Sequence, residues 1–200
     1  MAKKLYFRYG AMNSGKSTAL LQAAHNYEER GQNVVIAKPT VDTKDAKVLS
    51  RLGVSRDVDF PVYPGMDVFA EFSKKMDASL AAGNRVDCLI VDEAQFLESA
   101  QIDGLFMIAV KLNVPVLAYG IRTDFQTKAF SGSLRLLELA HSLEELKTIC
   151  RCGSKAMFNG RLINGEYVRT GQQVAIDGQQ ATYESLCGTC YLEKVGPLGS

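Results

Sequence analysis

Apolar and polar positions along this chain follow two rhythms in turn. Leu5 to Tyr9, Asn33-Val34-Val35-Ile36-Ala37, Val86-Asp87-Cys88-Leu89-Ile90-Val91 and Val114-Pro115-Val116-Leu117-Ala118-Tyr119 are short runs with few polar residues. Such runs have strand length, and they suit strands covered on both faces of a parallel sheet. Between them the apolar residues recur at helical spacing: Leu20, Ala23, Ala24 and Tyr27 after Lys16, then Val68 or Phe69, Phe72, Met76 and Leu80, then Ile102, Leu105, Ala109 and Leu112. Each set lines one face of a helix, and Gly31 and Gly83 stand where the first two should stop. A Leu134-Leu137-Ala140 face predicts a fourth helix, and Leu143 to Ile149 a last strand. Strands alternating with helices imply right-handed crossovers and an α/β fold with a mainly parallel sheet. Thr40 to Asp59 is polar without a clean period and reads as a long loop with room for a helical turn.

The alternation stops at Cys150. Beyond it, Asn164-Gly165 and Asp177-Gly178 are hairpin-type turn signals among short β-prone pieces, which predicts a small β unit with too few apolar residues to stand alone. The expected division is a main α/β domain over 1–149, a second unit over 150–194 and a disordered tail over 195–200. A chain of 200 residues with 46% apolar and 22% charged side chains should fold as an ordinary globule. Its net charge of +1 gives no field to gather nucleic acid or anionic membrane, so a small-molecule substrate is favoured. No segment approaches the ~20 apolar residues of a membrane helix, and the expected location is cytoplasmic.

Against that frame, three groups of residues carry chemistry. Gly10-Ala11-Met12-Asn13-Ser14-Gly15-Lys16-Ser17 lies between a predicted strand and a predicted helix and has the P-loop form. Its backbone N–H groups can wrap phosphate oxygens, Lys16 can bridge the β- and γ-phosphates, and the Ser17 hydroxyl can sit on Mg²⁺. Asp92-Glu93 follows directly on an apolar strand, at the sheet edge where such folds bind ligands. Asp92 suits Mg²⁺, and Glu93 suits proton acceptance from a nucleophile. Finally, Cys150-Arg151-Cys152 and Cys187-Gly188-Thr189-Cys190 bracket 34 residues and supply four thiolates for a structural Zn²⁺. The fifth cysteine, Cys88, reads as core, and His25 and His141 as surface or packing residues. Phe96, Phe125, Phe130 and Tyr183 fall on loops of the same edge or in the second unit, as a nucleobase pocket requires.

Together, the P-loop with Thr18, Val91-Asp92-Glu93-Ala94-Gln95-Phe96, Tyr119-Gly120-Ile121-Arg122-Thr123-Asp124-Phe125 and Leu146-Lys147-Thr148-Ile149-Cys150-Arg151-Cys152 resemble the zinc-containing thymidine kinases. The resemblance spans about Leu5 to Lys194. It implies a RecA-like P-loop domain with a zinc-anchored lid or lasso closing over thymidine, and transfer of the γ-phosphoryl of MgATP to the nucleoside 5′-hydroxyl, giving dTMP and ADP. It makes Glu93 the base and assigns the P-loop residues, Asp92, Gln95 and, in a loop near the phosphates, Arg51 to ATP. It lines the thymidine pocket with Met12, Phe96, Phe125, Phe130 and Tyr183, and matches Val174-Ala175-Ile176-Asp177-Gly178 to the lasso segment whose backbone holds the base, Val174, Ile176 and Gly178 among its contacts. Asn159 stands where relatives carry a small hydroxyl residue beside the pyrimidine 5-substituent. Deoxyuridine as a second acceptor, dTTP as a feedback inhibitor and a homotetramer are further implications. The rival reading is a RecA-like, nucleic-acid-stimulated ATPase with a zinc ribbon. It expects a basic stripe, whereas Gly153 to Leu186 carries Lys155, Arg161 and Arg169 against Glu166, Asp177 and Glu184.

Overall fold

A computed structural model of the chain describes residues 3–40, 47–49, 53, 55–174 and 181–198. Arg51, Ile176 and Gly178 lie outside them. The apolar runs become the strands they predict: β1 (Leu5–Tyr9), followed by helix α1 (Lys16–Glu28) and β2 (Val34–Pro39). The polar stretch after β2 contains a hairpin, β3 (Lys47–Leu49) and β4 (Ser55–Asp57), and then β5 (Phe60–Val62). Next come α2 (Val68–Ala81), β6 (Cys88–Val91), a 3₁₀ turn (Ala94–Phe96), α3 (Ser99–Lys111), β7 (Val116–Gly120), α4 (Ser131–Leu139) and β8 (Ser142–Glu145).

Six strands form one sheet in the order β5-β2-β6-β7-β1-β8, and every pairing in it is parallel. Consecutive apolar residues are needed because alternate side chains serve opposite layers. Val34, Ile36, Cys88, Ile90, Leu117 and Tyr119 pack with Leu20, Leu21 and Ala24 of α1. Val35, Ala37, Leu89, Val91, Val116 and Ala118 pack with residues of α2, α3 and α4 on the other side. Among the described residues, no helix is long and apolar enough to cross a membrane.

Three expectations are corrected. Among the described residues the polar stretch holds a hairpin and no helical turn, and Val48 is the described β3 side chain that reaches the α1 layer, too little apolar pattern to announce a strand. The last strand is divided, with β8 ending at Glu145 and a separate β9 (Thr148–Ile149). On α4 the buried face is Gly132, Ser133 and Leu136, with Leu137 and Ala140 of the expected face packed partly buried against the same core and Leu134 exposed. Close approach turns the helix this way, since a Cβ on Gly132 would lie 2.6 Å from the carbonyl oxygens of both Ala94 and Leu97.

The C-terminal unit is built differently. β9 pairs with β10 (Lys155–Ala156) in a hairpin, and β11 (Phe158–Ile163) pairs antiparallel with both β12 (Glu166–Val168) and β13 (Ala181–Leu186). Helix α5 (Gly188–Lys194) follows. The unit's own buried cluster is small: Cys150, Ala156, Leu186, Cys187 and Tyr191, with Val195 packed against it.

Candidate functional site

β7 lies between β1 and β6, so the loops leaving β1 and β6 meet at one edge of the sheet. The P-loop leaves β1 at Gly10, where a side chain is excluded: a Cβ would sit 2.4 Å from Ser14 Oγ and 2.5 Å from the Leu146 carbonyl oxygen. Asn13 (φ 66°) and Gly15 (φ 76°) take left-handed conformations, the backbone reversal that turns successive N–H groups inward. Lys16 Nζ donates to the Ala11 carbonyl at 2.8 Å, with Ser14 Oγ at 3.3 Å, so the ammonium sits over the loop where phosphate oxygens would replace those acceptors. A cavity of about 700 Å³ opens here, lined among others by Met12, Gly15, Lys16, Ser17, Glu93 and Ile121.

Asp92 leaves the end of β6 buried, 4% exposed, its N–H donating to the Ala37 carbonyl at 2.9 Å. Burial, reinforced by the charge of Glu93 and opposed by the Glu93 N–H and by Lys38 and Lys16, pushes its carboxyl up to about 6. A buried carboxylate beside a second one is a place where a cation relieves the cost of desolvation, and that chemistry fits Mg²⁺, for which Asp92 and the Ser17 hydroxyl would be oxygen donors.

Glu93 is held in the left-handed region, φ 49°, a conformation that costs a side-chain-bearing residue about 1 kcal/mol or more. The turn aims its carboxylate into the cavity. The amide of Gln95, expected among the phosphate contacts, is engaged below it. Its Oε1 accepts from Ile121 N–H at 3.2 Å, which fixes the amide's orientation, so Nε2 faces and donates to the Glu93 carboxylate. Gly120 leaves room for this, because a Cβ there would lie 2.7 Å from Gln95 Oε1.

All four expected cysteines come together, every pair of sulfurs within 4.8 Å and Cys152 Sγ to Cys187 Sγ at 3.5 Å. A tetrahedral site with Zn–S bonds of about 2.3 Å has sulfurs about 3.8 Å apart, so the four thiols fit zinc. Cys150 and Cys152 sit on the β9–β10 turn, closed by Cys150 N–H to Ser154 O at 2.8 Å. Cys187 caps α5, its sulfur accepting from Cys190 N–H. Cys88 lies fully buried in the main sheet. His25 is exposed, and His141 stacks on Phe106 at 5.2 Å with Nδ1 accepting from Leu5 N–H.

The expected nucleoside residues divide into groups. Phe96 and Phe130 meet edge to face at 5.5 Å beside the Asp92-Glu93 turn. Phe125 is buried beneath the Arg161 guanidinium, 3.8 Å from its ring centre. Asn159 is 3% exposed: its Oδ1 accepts from Met12 N–H at 2.7 Å and its Nδ2 donates to Thr123 O at 3.0 Å. Val174 is exposed where the described segment ends.

Arg161 is the residue that sequence reasoning passed over. Buried on β11, it donates through Nε to the Tyr183 hydroxyl at 2.9 Å and through its two terminal nitrogens to the carbonyls of Gln172 (2.7 Å) and Gln173 (2.9 Å). It thereby ties the segment before Val174 to Tyr183 and Phe125. Tyr191 adds a second tie, its hydroxyl donating to the Phe125 carbonyl at 2.7 Å. Neither had a motif to mark it, since both act on backbone or ring atoms far away in sequence.

A family model described as thymidine kinase matches residues 3–191. The thymidine kinase of Enterobacteria phage T4 is 44% identical over 198 residues, spanning 98% of this chain and 98% of the phage protein. That of Pasteurella multocida is 44% identical over 195 residues, 96% of this chain and 98% of its own. That of Haemophilus influenzae is 44% identical over 198 residues, covering 98% and 99%.

Proposed function

The chain belongs to the thymidine kinase family, and on that premise we propose which of its residues move the γ-phosphoryl group of ATP to the 5′-hydroxyl of thymidine. The observation that carries the assignment is the Glu93 carboxylate, lining the same cavity as Lys16 and Ser17 and steadied by Gln95. The P-loop N–H groups and Lys16 hold the β- and γ-phosphates. Mg²⁺, held by Ser17 and Asp92, would offset charge on the phosphate oxygens. Glu93 takes the proton of the 5′-hydroxyl as its oxygen bonds to the γ-phosphorus. The bond from that phosphorus to the β,γ-bridging oxygen breaks, leaving dTMP and ADP.

The four cysteines would hold zinc, which would tie the C-terminal unit together and leave no open position for chemistry there. Phe96, Phe130, Met12 and Tyr183 line the base site, with the segment after Arg161's anchor as its lid. Family membership further supports deoxyuridine as an alternative acceptor, dTTP as an end-product inhibitor, a homotetramer and a cytoplasmic location. Inhibition kinetics and sedimentation test the inhibitor and the assembly.

The decisive assay measures ADP release from MgATP with thymidine, other nucleosides, single-stranded DNA or nothing added. Thymidine should stimulate release, and Glu93→Gln should lower kcat by about 10²–10⁴-fold while still binding MgADP. Stimulation by DNA and not by thymidine would overturn the reading. Charge placement also speaks against DNA, because Arg161 is buried and Lys155 and Arg151 are paired with Glu145 and Glu184.

A further inference from the structure

We infer that Asn159 and Ser185 make the zinc-bracketed sheet a brace for the P-loop, so that the unit over the nucleoside also sets the grip on nucleotide phosphates. The two residues face each other across β11 and β13, and both are buried. Between them they take both polar atoms of one P-loop residue: Asn159 Oδ1 accepts from Met12 N–H at 2.7 Å, and Ser185 Oγ donates to the Met12 carbonyl. Asn159 Nδ2 is at the same time anchored on the Thr123 carbonyl at 3.0 Å, which fixes the amide's orientation. A third contact runs from Asn13 Nδ2 to the Tyr183 carbonyl at 3.4 Å.

The Met12 N–H belongs to the peptide before that residue and its carbonyl to the peptide after it. Holding both fixes two successive peptide planes just ahead of Asn13, where the backbone turns left-handed at φ 66°. The direction of the N–H groups that follow, through Lys16, depends on that turn. Preorganised donors of this kind cost no reordering when the anion arrives. Ser185 is two residues before Cys187, so the end of β13 that meets the P-loop is also the end pinned by the cysteine cluster. The same sheet carries Arg161, which holds the lid segment. Arg161 and Tyr183 are paired two residues along from Asn159 and Ser185, so the contacts to the lid segment and to the P-loop lie on one face of one brace, and by linkage nucleoside and nucleotide should each tighten the other. Asn159 and Ser185 are positioning residues: they act through Met12.

The inference rests on the P-loop reading above, and the test separates the two. MgADP binding is measured by calorimetry on the zinc-loaded protein without nucleoside, for the wild type, Asn159→Leu, Ser185→Ala, Ser185→Thr and Lys16→Ala. Asn159→Leu should weaken MgADP by roughly tenfold, Ser185→Ala by a few-fold, and Ser185→Thr should bind as the wild type does, because it keeps the hydroxyl. Zinc content and melting temperature identify any variant that has not folded, and the Ser185 pair decides the matter if Asn159→Leu is one. MgADP affinity within twofold of wild type in both Asn159→Leu and Ser185→Ala, with only the thymidine KM raised, would overturn the brace. Unchanged MgADP binding by Lys16→Ala would instead bring down the P-loop reading and the brace with it.

Discussion

In the α/β half, largely apolar strands are packed on both faces, and the proposed catalytic groups ride on loops at the sheet's edge. In the C-terminal unit, five buried residues make the apolar core among the described residues, two of them cysteines, and the cysteine cluster, Arg161 and the contacts to Met12 add the other ties. The first half is a scaffold whose order comes from buried area. The second leans on hydrogen bonds to its neighbour and on four thiols that fit a metal, so on the reading proposed above it can be loosened without dissolving the first.

The largest effect should come from removing the metal site. A structural zinc in small domains supplies about 10–16 kcal/mol of apparent binding energy, so Cys187→Ser with Cys190→Ser should abolish zinc binding and thymidine phosphorylation together. The helical circular dichroism of the α/β half should remain. Wild-type turnover in a preparation shown by elemental analysis to hold no metal would erase the proposed distinction between the halves.

The second effect concerns the α/β half alone. Asp92 has a folded value of about 6 against an ordinary 3.8, so its neutral form is the one the fold prefers. Its contribution to stability is therefore complete below about 3.8 and is lost as pH rises through about 6. Without Mg²⁺ the protein should lose on the order of 2 kcal/mol across that window. Asp92→Asn should flatten the decline and melt higher at pH 7, yet lose phosphoryl transfer. An unchanged pH slope in the variant would show that the strain lies elsewhere.

The smallest sits where the C-terminal unit meets the nucleoside. Arg161→Met leaves the Gln172 and Gln173 carbonyls without their donors, and should raise the thymidine KM about tenfold with the ATP KM little changed. Arg161→Lys should not restore it, because a single ammonium cannot span two carbonyls and a hydroxyl as the planar fork does. Equal rises in both KM values would mean that Arg161 supports the whole edge rather than the lid.

Legibility in the sequence followed the same division. The strands and helices of the α/β half were readable because burial on both faces forces a period that survives in the sequence, and the P-loop and Asp92-Glu93 because local backbone geometry demands those residues in that order. Where an element offered little apolar pattern, as β3 does with Val48 among its described side chains, the pattern was silent. On α4, Leu134 misled because the contact that orients the helix belongs to Gly132, a residue with no side chain to count. Gln95, Asn159 and Arg161 were invisible as partners, since they bond to atoms 26, 147 and 22 residues away, on Ile121, Met12 and Tyr183 respectively.

The sequence by itself determined the parallel α/β scaffold, the phosphate loop, the paired carboxylates and the four thiols, because each is written as a period or a short spacing. Only the tertiary structure decided what those parts do to one another. Hydrogen bonds between distant segments place Gln95 under Glu93, Arg161 against the lid, and Asn159 and Ser185 on Met12, and such bonds depend on where strands lie side by side rather than on where they fall along the chain.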